Sequence, residues 1–174
     1  MPVVIAIDES NKAAAIVIAD YDDLPKIVRE FRGIRHFREV KRNRNQYLKN
    51  EFKPKLEKAL EKYYLEIKYH TKIDHYFWED VEYHARFGLE IMVDDKLWRA
   101  VVDRFEDMQI SIVKEGDIAP AIEELKRKLW KAQKEKDVVT QKQIEKELEY
   151  YIQRSILITV ADNYVNLRRR GLKH

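Results

Sequence analysis

The chain has 174 residues, 45% hydrophobic and 37% charged, with a formal net charge of only +3. It has no cysteine, which excludes a disulfide framework and any thiolate metal site and suits a reducing compartment. No stretch approaches the ~18 apolar residues of a membrane span, and "MPVVIAIDES" lacks the basic start and long apolar run of a signal peptide. The expectation is one cytoplasmic domain over residues 1–174, and heavy charge without Cys also suits a thermophile.

"VVIAID" reads as a buried strand and "KAAAIVIAD" (12–20) as a second, joined by "ESN" into an antiparallel hairpin. "DDLPKIVREFRG" reads as a helix, capped by Asp22 or Asp23, with Pro25 in its first turn and Gly33 ending it. A basic helical insertion follows over 33–62. Its second part carries Leu48, Phe52, Leu56 and Leu60 at four-residue spacing. "YLEIKYHTKI" is the third strand, "DHYFWEDVEYHARFG" a helix, and "LEIMVDD" the fourth strand. "KLWRAVVDRF" is a short helix and "MQISIVKEGD" the last strand. Residues 118–170 read as a helical hairpin.

Three acids end or interrupt apolar runs: Asp8 after "VVIAI", Asp94 after "IMV", and Asp162 after "ITVA". Buried carboxylates cost several kcal/mol unless paired. If these runs are neighbours, the acids converge, repel one another and have raised pKa values. A divalent cation removes that repulsion, and oxygen-only ligands favour Mg²⁺ or Mn²⁺. The rival readings are a turn residue at Asp8, a helix cap at Asp94 or Asp95, and a part-exposed helix position at Asp162.

The near-neutral total hides an uneven spread. Residues 26–62 carry 13 Lys and Arg against 5 Asp and Glu, and residues 74–117 carry 5 against 12. Basic segments meet phosphates and clustered acids meet metal ions. In the basic segment Arg35, Arg38, Lys41, Arg42 and Arg44 are candidate phosphate contacts. Phe37 and Tyr47 are candidate stacking platforms for unpaired bases. The alternative is an amphipathic helix whose aromatics are core. "RRRG" at 168–171 reads as a solvated helix end.

The element order, with "IDES", "HFREVK", "IMVDD" and "TVADNYVN", resembles the ribonuclease H-like superfamily. Within it the chain looks like the ring-forming, single-strand-specific DNA exonucleases of hyperthermophilic archaea. The resemblance implies an α/β fold, a five-stranded mixed sheet flanked by helices. It implies Asp8, Asp94 and Asp162 as catalytic metal ligands, with a further ligand on the helix after the third strand. There Asp80 is preferred over Glu79 and Glu82, because Phe77 and Trp78 are expected to point into the core. Glu9 belongs to the opening motif and joins the catalytic set, while Asp74 and Asp95 are substitutes. Lys41 stands where the family often has Lys.

The activity implied is Mg²⁺- or Mn²⁺-dependent two-metal hydrolysis of single-stranded DNA, from the 3′ end, with a place in DNA repair. In that chemistry no general-base His is required. His36, His70, His75 and His84 lie in the site region, and His75 and His84 could shuttle protons. A homo-oligomer, by resemblance a trimer, is expected. The alternatives are an endonuclease or junction resolvase on the same fold, and a catalytically silent nucleic-acid-binding protein.

Overall fold

In the computed structural model, which describes residues 2–173, the two leading apolar runs pair along their length as β1 (Val3–Ser10) and β2 (Ala13–Asp20). Asn11 and Lys12 form the turn with φ of 48° and 71°. Positive φ at both central positions is the twist a tight hairpin needs. The sheet is completed by β3 (Leu65–His70), β4 (Gly88–Val93) and β5 (Ser111–Lys114), in the order β3-β2-β1-β4-β5. β1–β2 and β2–β3 are antiparallel, and β4 lies parallel to both β1 and β5, so the sheet is mixed.

Strand alternation sorts the side chains into two cores. Val4, Ala6, Ala15, Val17 and Met92 face one way, onto α1 (Leu24–Glu30), the segment around α2 (Arg44–Tyr47) and α3 (Lys53–Lys62), and the C-terminal half of the last helix. Ile5, Ile7, Ile16, Ile91 and Val93 face the other way, onto α4 (His75–Ala85) and α5 (Trp98–Phe105). The helices α6 (Glu115–Lys134) and α7 (Val138–Arg169) form the C-terminal hairpin. At 1.5 Å per residue α7 runs about 48 Å. Its N-terminal half packs on α6, through Ile144 against Leu125 and Ala132, with Tyr150 reaching Glu90 of β4, and its C-terminal half lies on the sheet.

The basic segment contributes directly to the core. Helix runs from Arg44 to Lys62, with a wider π turn at Leu48–Phe52 just before Pro54, which has no N–H to give the α-helical ladder. Leu48, Phe52, Leu56 and Ala59 are fully buried, and Phe52 stacks on Phe31 at 6.1 Å.

Three expectations change. Neither Asp22 nor Asp23 makes a side-chain cap on α1; only the backbone of Asp23 enters the helix. β3 stops at His70, short of Ile73. β5 has four residues, and helix α6 starts at Glu115 straight after it, so the end of "MQISIVKEGD" is helical. No helix among the described residues is long and apolar enough to cross a membrane.

Candidate active site

β1 and β4 run parallel, so their C-terminal ends lie side by side, and each run ends in an acid facing α7. Asp8 continues the Val4–Ala6 face of β1, and Asp94 follows Met92 and Val93 at the end of β4. Asp162 projects from α7 between Ala161 and Asn163, where that helix crosses the same face. Asp8, Asp94 and Asp162 line one cleft of about 570 Å³, together with Glu9, Asp95, Glu115, His36, Arg38 and Lys96. The three acids drawn from distant apolar runs are therefore together.

Most of these carboxylates have donors. Asp94 Oδ2 accepts the Glu9 N–H at 3.1 Å, and its Oδ1 accepts the Leu97 N–H at 3.3 Å. It thus ties β1 to β4 and also braces the entry to α5. Asp162 Oδ2 accepts the Phe37 N–H at 2.7 Å, with His36 Nδ1 at 3.7 Å and Asn166 Nδ2 3.3 Å from Oδ1. Glu9 accepts the Lys12 N–H at 2.7 Å and faces Lys96 Nζ at 3.5 Å. Asp95 Oδ1 accepts the Gly116 N–H at 2.8 Å, so it caps α6 and not α5. A Cβ at Gly116 would lie 2.5 Å from Asp95 Oδ2, so a larger residue there would displace the Asp95 carboxylate.

Asp8 is different. It is 7% exposed, and among the described residues its carboxylate receives no hydrogen bond. Burial pushes its pKa well above the usual carboxylate range, and the charges of Asp162, Asp94, Glu115 and Glu9 push it further. Burial likewise raises Asp94 to about 7, against the two backbone N–H groups that hold its charge. Glu115 is raised by burial and by Asp162, with His36 opposing. His36 is raised by its contact with Asp162, against burial.

The donor chemistry fits a hard divalent cation: an all-oxygen set with one desolvated, donor-free carboxylate at its centre. Among the described residues no group of three or more Asp, Glu or His side chains stands arranged to hold an ion. Asp94, Asp162 and Glu9 are turned onto backbone donors.

Asp80 does not join this cluster. It sits on α4, which covers the opposite face of the sheet, because strand alternation sends Asp8 to the α7 side and Ile5 and Ile7 to the α4 side. Its Oδ2 lies 2.6 Å from His70 Nε2. Phe77 is buried, and Trp78, half-buried, packs against the same core with Arg104 over its ring at 4.4 Å. Asp74, Glu79 and Glu82 line a separate depression with His75. His84 is buried on α4 and its pKa is lowered by that burial. Of the candidate histidines only His36 lines the cleft.

The acid that sequence reasoning missed is Glu115, the first residue of α6. The signal was present: "EGD" puts two acids in the first turn of a helix, where its dipole favours them.

The basic segment divides. Arg38 lines the cleft and is exposed, and Lys41 and Arg42 are exposed nearby in sequence. Arg35 is exposed but pairs with Glu51 at 3.3 Å. Arg44 is spent on structure, donating to the Val40 carbonyl at 2.6 Å and stacking over Phe37 at 4.4 Å. Phe37 and Tyr47 are buried. Arg170 covers Phe37 at 4.8 Å, and the Tyr47 hydroxyl both accepts from and donates to the backbone of Arg35. Neither ring offers a face to a base. The cluster at 168–170 is an exposed helix end as expected, and from it Arg169 Nη1 lies 3.1 Å from Ser10 Oγ at the cleft and Arg170 Nη1 lies 2.8 Å from Asn45 Oδ1.

No family model, no curated protein and no solved structure matches the chain.

Proposed function

We propose that this protein is a Mg²⁺- or Mn²⁺-dependent nuclease with a ribonuclease H-like fold, acting on single-stranded nucleic acid. DNA hydrolysed from the 3′ end is the favoured substrate. The observation that carries the reading is Asp8: a buried carboxylate with no donor, ringed by four others at the joined ends of β1 and β4. His36, Arg38 and Lys96 offset part of that repulsion, and a dication would remove the rest. The mixed five-stranded sheet with helices on both faces supports the fold assignment.

Asp8, Asp94 and Asp162 would hold the cations, with Glu115 as the fourth acid in place of Asp80. When bound, the cations supply Lewis acidity and charge neutralisation to a phosphodiester. Arg38 at the cleft wall and Arg169 beside Ser10 bind flanking phosphates, which positions the strand without reading its sequence. His36, whose pKa the contact with Asp162 raises, would be the group to give a proton to the departing oxygen. The aromatics play no part in base stacking.

The test is cleavage of end-labelled single- and double-stranded DNA, and of the matching RNA, with Mg²⁺ or Mn²⁺. Asp8→Asn and Asp162→Asn should abolish cleavage and leave binding intact. Closed-circular single strands separate an exonuclease from an endonuclease. Cleavage in EDTA would overturn the proposal. A second reading, a catalytically silent nucleic-acid-binding protein, is favoured by the absence of a preformed three-ligand group among the described residues. It requires salt-sensitive binding, no metal response, and no effect of either substitution.

A further inference from the structure

We infer that the open edge of β3 is a dimer interface, where a second copy of this chain adds its own β3 antiparallel about a two-fold axis through Ile67. β3 is the last strand on its side of the sheet. Asp20 N–H donates to the Tyr64 carbonyl at 3.2 Å, which fixes the hydrogen-bonding phase of the β2–β3 ladder. Glu66, Lys68 and His70 then turn their backbone groups to β2, and Leu65, Ile67 and Tyr69 turn theirs outward. Among the described residues those outward groups have no partner. The edge carries no proline and no bulge, two of the devices that block strand addition.

Charge selects the register. With the axis at Ile67, Ile67 opposes Ile67 and Leu65 opposes Tyr69, in pairs whose free N–H and C=O groups face each other. Glu66 then lies opposite Lys68 of the second copy, and Lys68 opposite its Glu66, in the close, non-hydrogen-bonded pairs. An axis at Glu66 sets Glu66 against Glu66, and one at Lys68 sets Lys68 against Lys68, so both neighbouring registers are repelled. Lys68 and Glu66 already point the same way, 3.7 Å apart on the α4 side, and both are partly exposed. Next to them Tyr64, Tyr83 and Phe87 are 45%, 59% and 54% exposed around a hollow of about 550 Å³. Such an exposed aromatic group beside an open strand is the composition of an interface anchor.

Sedimentation velocity on the full chain over a concentration series tests this. The wild type should sediment as a dimer. Lys68→Glu should weaken the dimer at least tenfold, and Glu66→Lys/Lys68→Glu should restore it, because the swap keeps the pairs complementary. Since the chain has no cysteine, Ile67→Cys provides an independent readout. Directly opposed residues in such a pair have Cα atoms ~5.5 Å apart, within disulfide range, so mild oxidation should cross-link two chains through that position. A monomer at all concentrations overturns the inference. So does a trimer, a double variant as weak as the single one, or an Ile67→Cys chain that does not cross-link.

Discussion

Two acids four residues apart, one inside β4 and one just past its end, make opposite use of burial. Glu90 and Asp94 are 4% and 6% exposed, and both face α7. Glu90 receives Arg154 through Nε at 3.1 Å and Nη2 at 3.0 Å, and Tyr150 adds its hydroxyl at 2.7 Å. Arg154 also stacks on the Tyr150 ring at 3.6 Å, and burial and the bond to Glu90 push that phenol up to about 12. Two turns further along α7, the helix presents Asp162 instead of a cation, and the strand ends in Asp94 beside Asp8. One end of the β4–α7 contact is a satisfied structural ion pair. The other end is a cluster of acids in which Asp94, Asp162 and Glu9 have donors and Asp8, among the described residues, has none. Burial marks both, and only the sign of the neighbouring charge separates them.

Substitution at each end of the β4–α7 contact has opposite expected effects. Asp8→Asn should abolish metal-dependent cleavage, a loss of about 10³-fold or more, with single-strand affinity retained. Arg154→Leu should do the reverse. It leaves Glu90 buried and unpaired at a cost of about 3–5 kcal/mol, so Tm should fall by roughly 10 °C while metal dependence stays the same. Thermal melts and cleavage assays on both variants check the pair of outcomes, and the contrast fails if Arg154→Leu melts like the wild type.

The second effect is pH linkage at the carboxylate end. Asp8, Asp94 and Glu115 have folded pKa values raised above those of the unfolded chain. The folded state therefore binds more protons, and stability present below pH ~4 is lost as pH rises through about 7. In EDTA, Tm should fall by several degrees across that window. Mn²⁺ should recover more stability at pH 8 than at pH 5, because the ligands must lose their protons to bind it. A flat Tm in EDTA would remove the repulsion from the account.

Smaller effects sharpen the boundary of the site. Gly116→Ala drives a Cβ into Asp95 and should cost about 1 kcal/mol, with activity falling about tenfold as Glu115 shifts. Tyr47→Phe should cost about 1 kcal/mol for the lost contacts to Arg35 and leave nucleic-acid affinity unchanged. Arg38→Ala should weaken binding and reduce its salt dependence.

The strands and most helices were legible because long apolar runs and Gly or Pro punctuation are local signals. Asp8, Asp94 and Asp162 were legible for the same reason: each interrupts an apolar run. What sequence alone obscured depended on which face a residue takes. Asp80 fits the motif order, yet α4 lies across the sheet from Asp8. Phe37 and Tyr47 sit among arginines as base-binding aromatics do, but the four-residue spacing of Leu48, Phe52 and Leu56 turns that segment into the core. Glu115 was hidden because β5 has four residues, and its neighbours alternate well enough to pass for more strand. Glu90 and Arg154 are 64 residues apart, and neither signals the other without the parallel β1–β4 pairing and the path of α7.

The most direct measurement is the thermal melt of wild type and Asp8→Asn at pH 8, each in EDTA and in Mn²⁺. If Asp8 is an unsatisfied charge awaiting a cation, Asp8→Asn melts above wild type in EDTA, and Mn²⁺ raises the wild type alone. If Asp8→Asn melts below wild type in EDTA, or Mn²⁺ raises both equally, the cluster is not a cation site and the account is wrong.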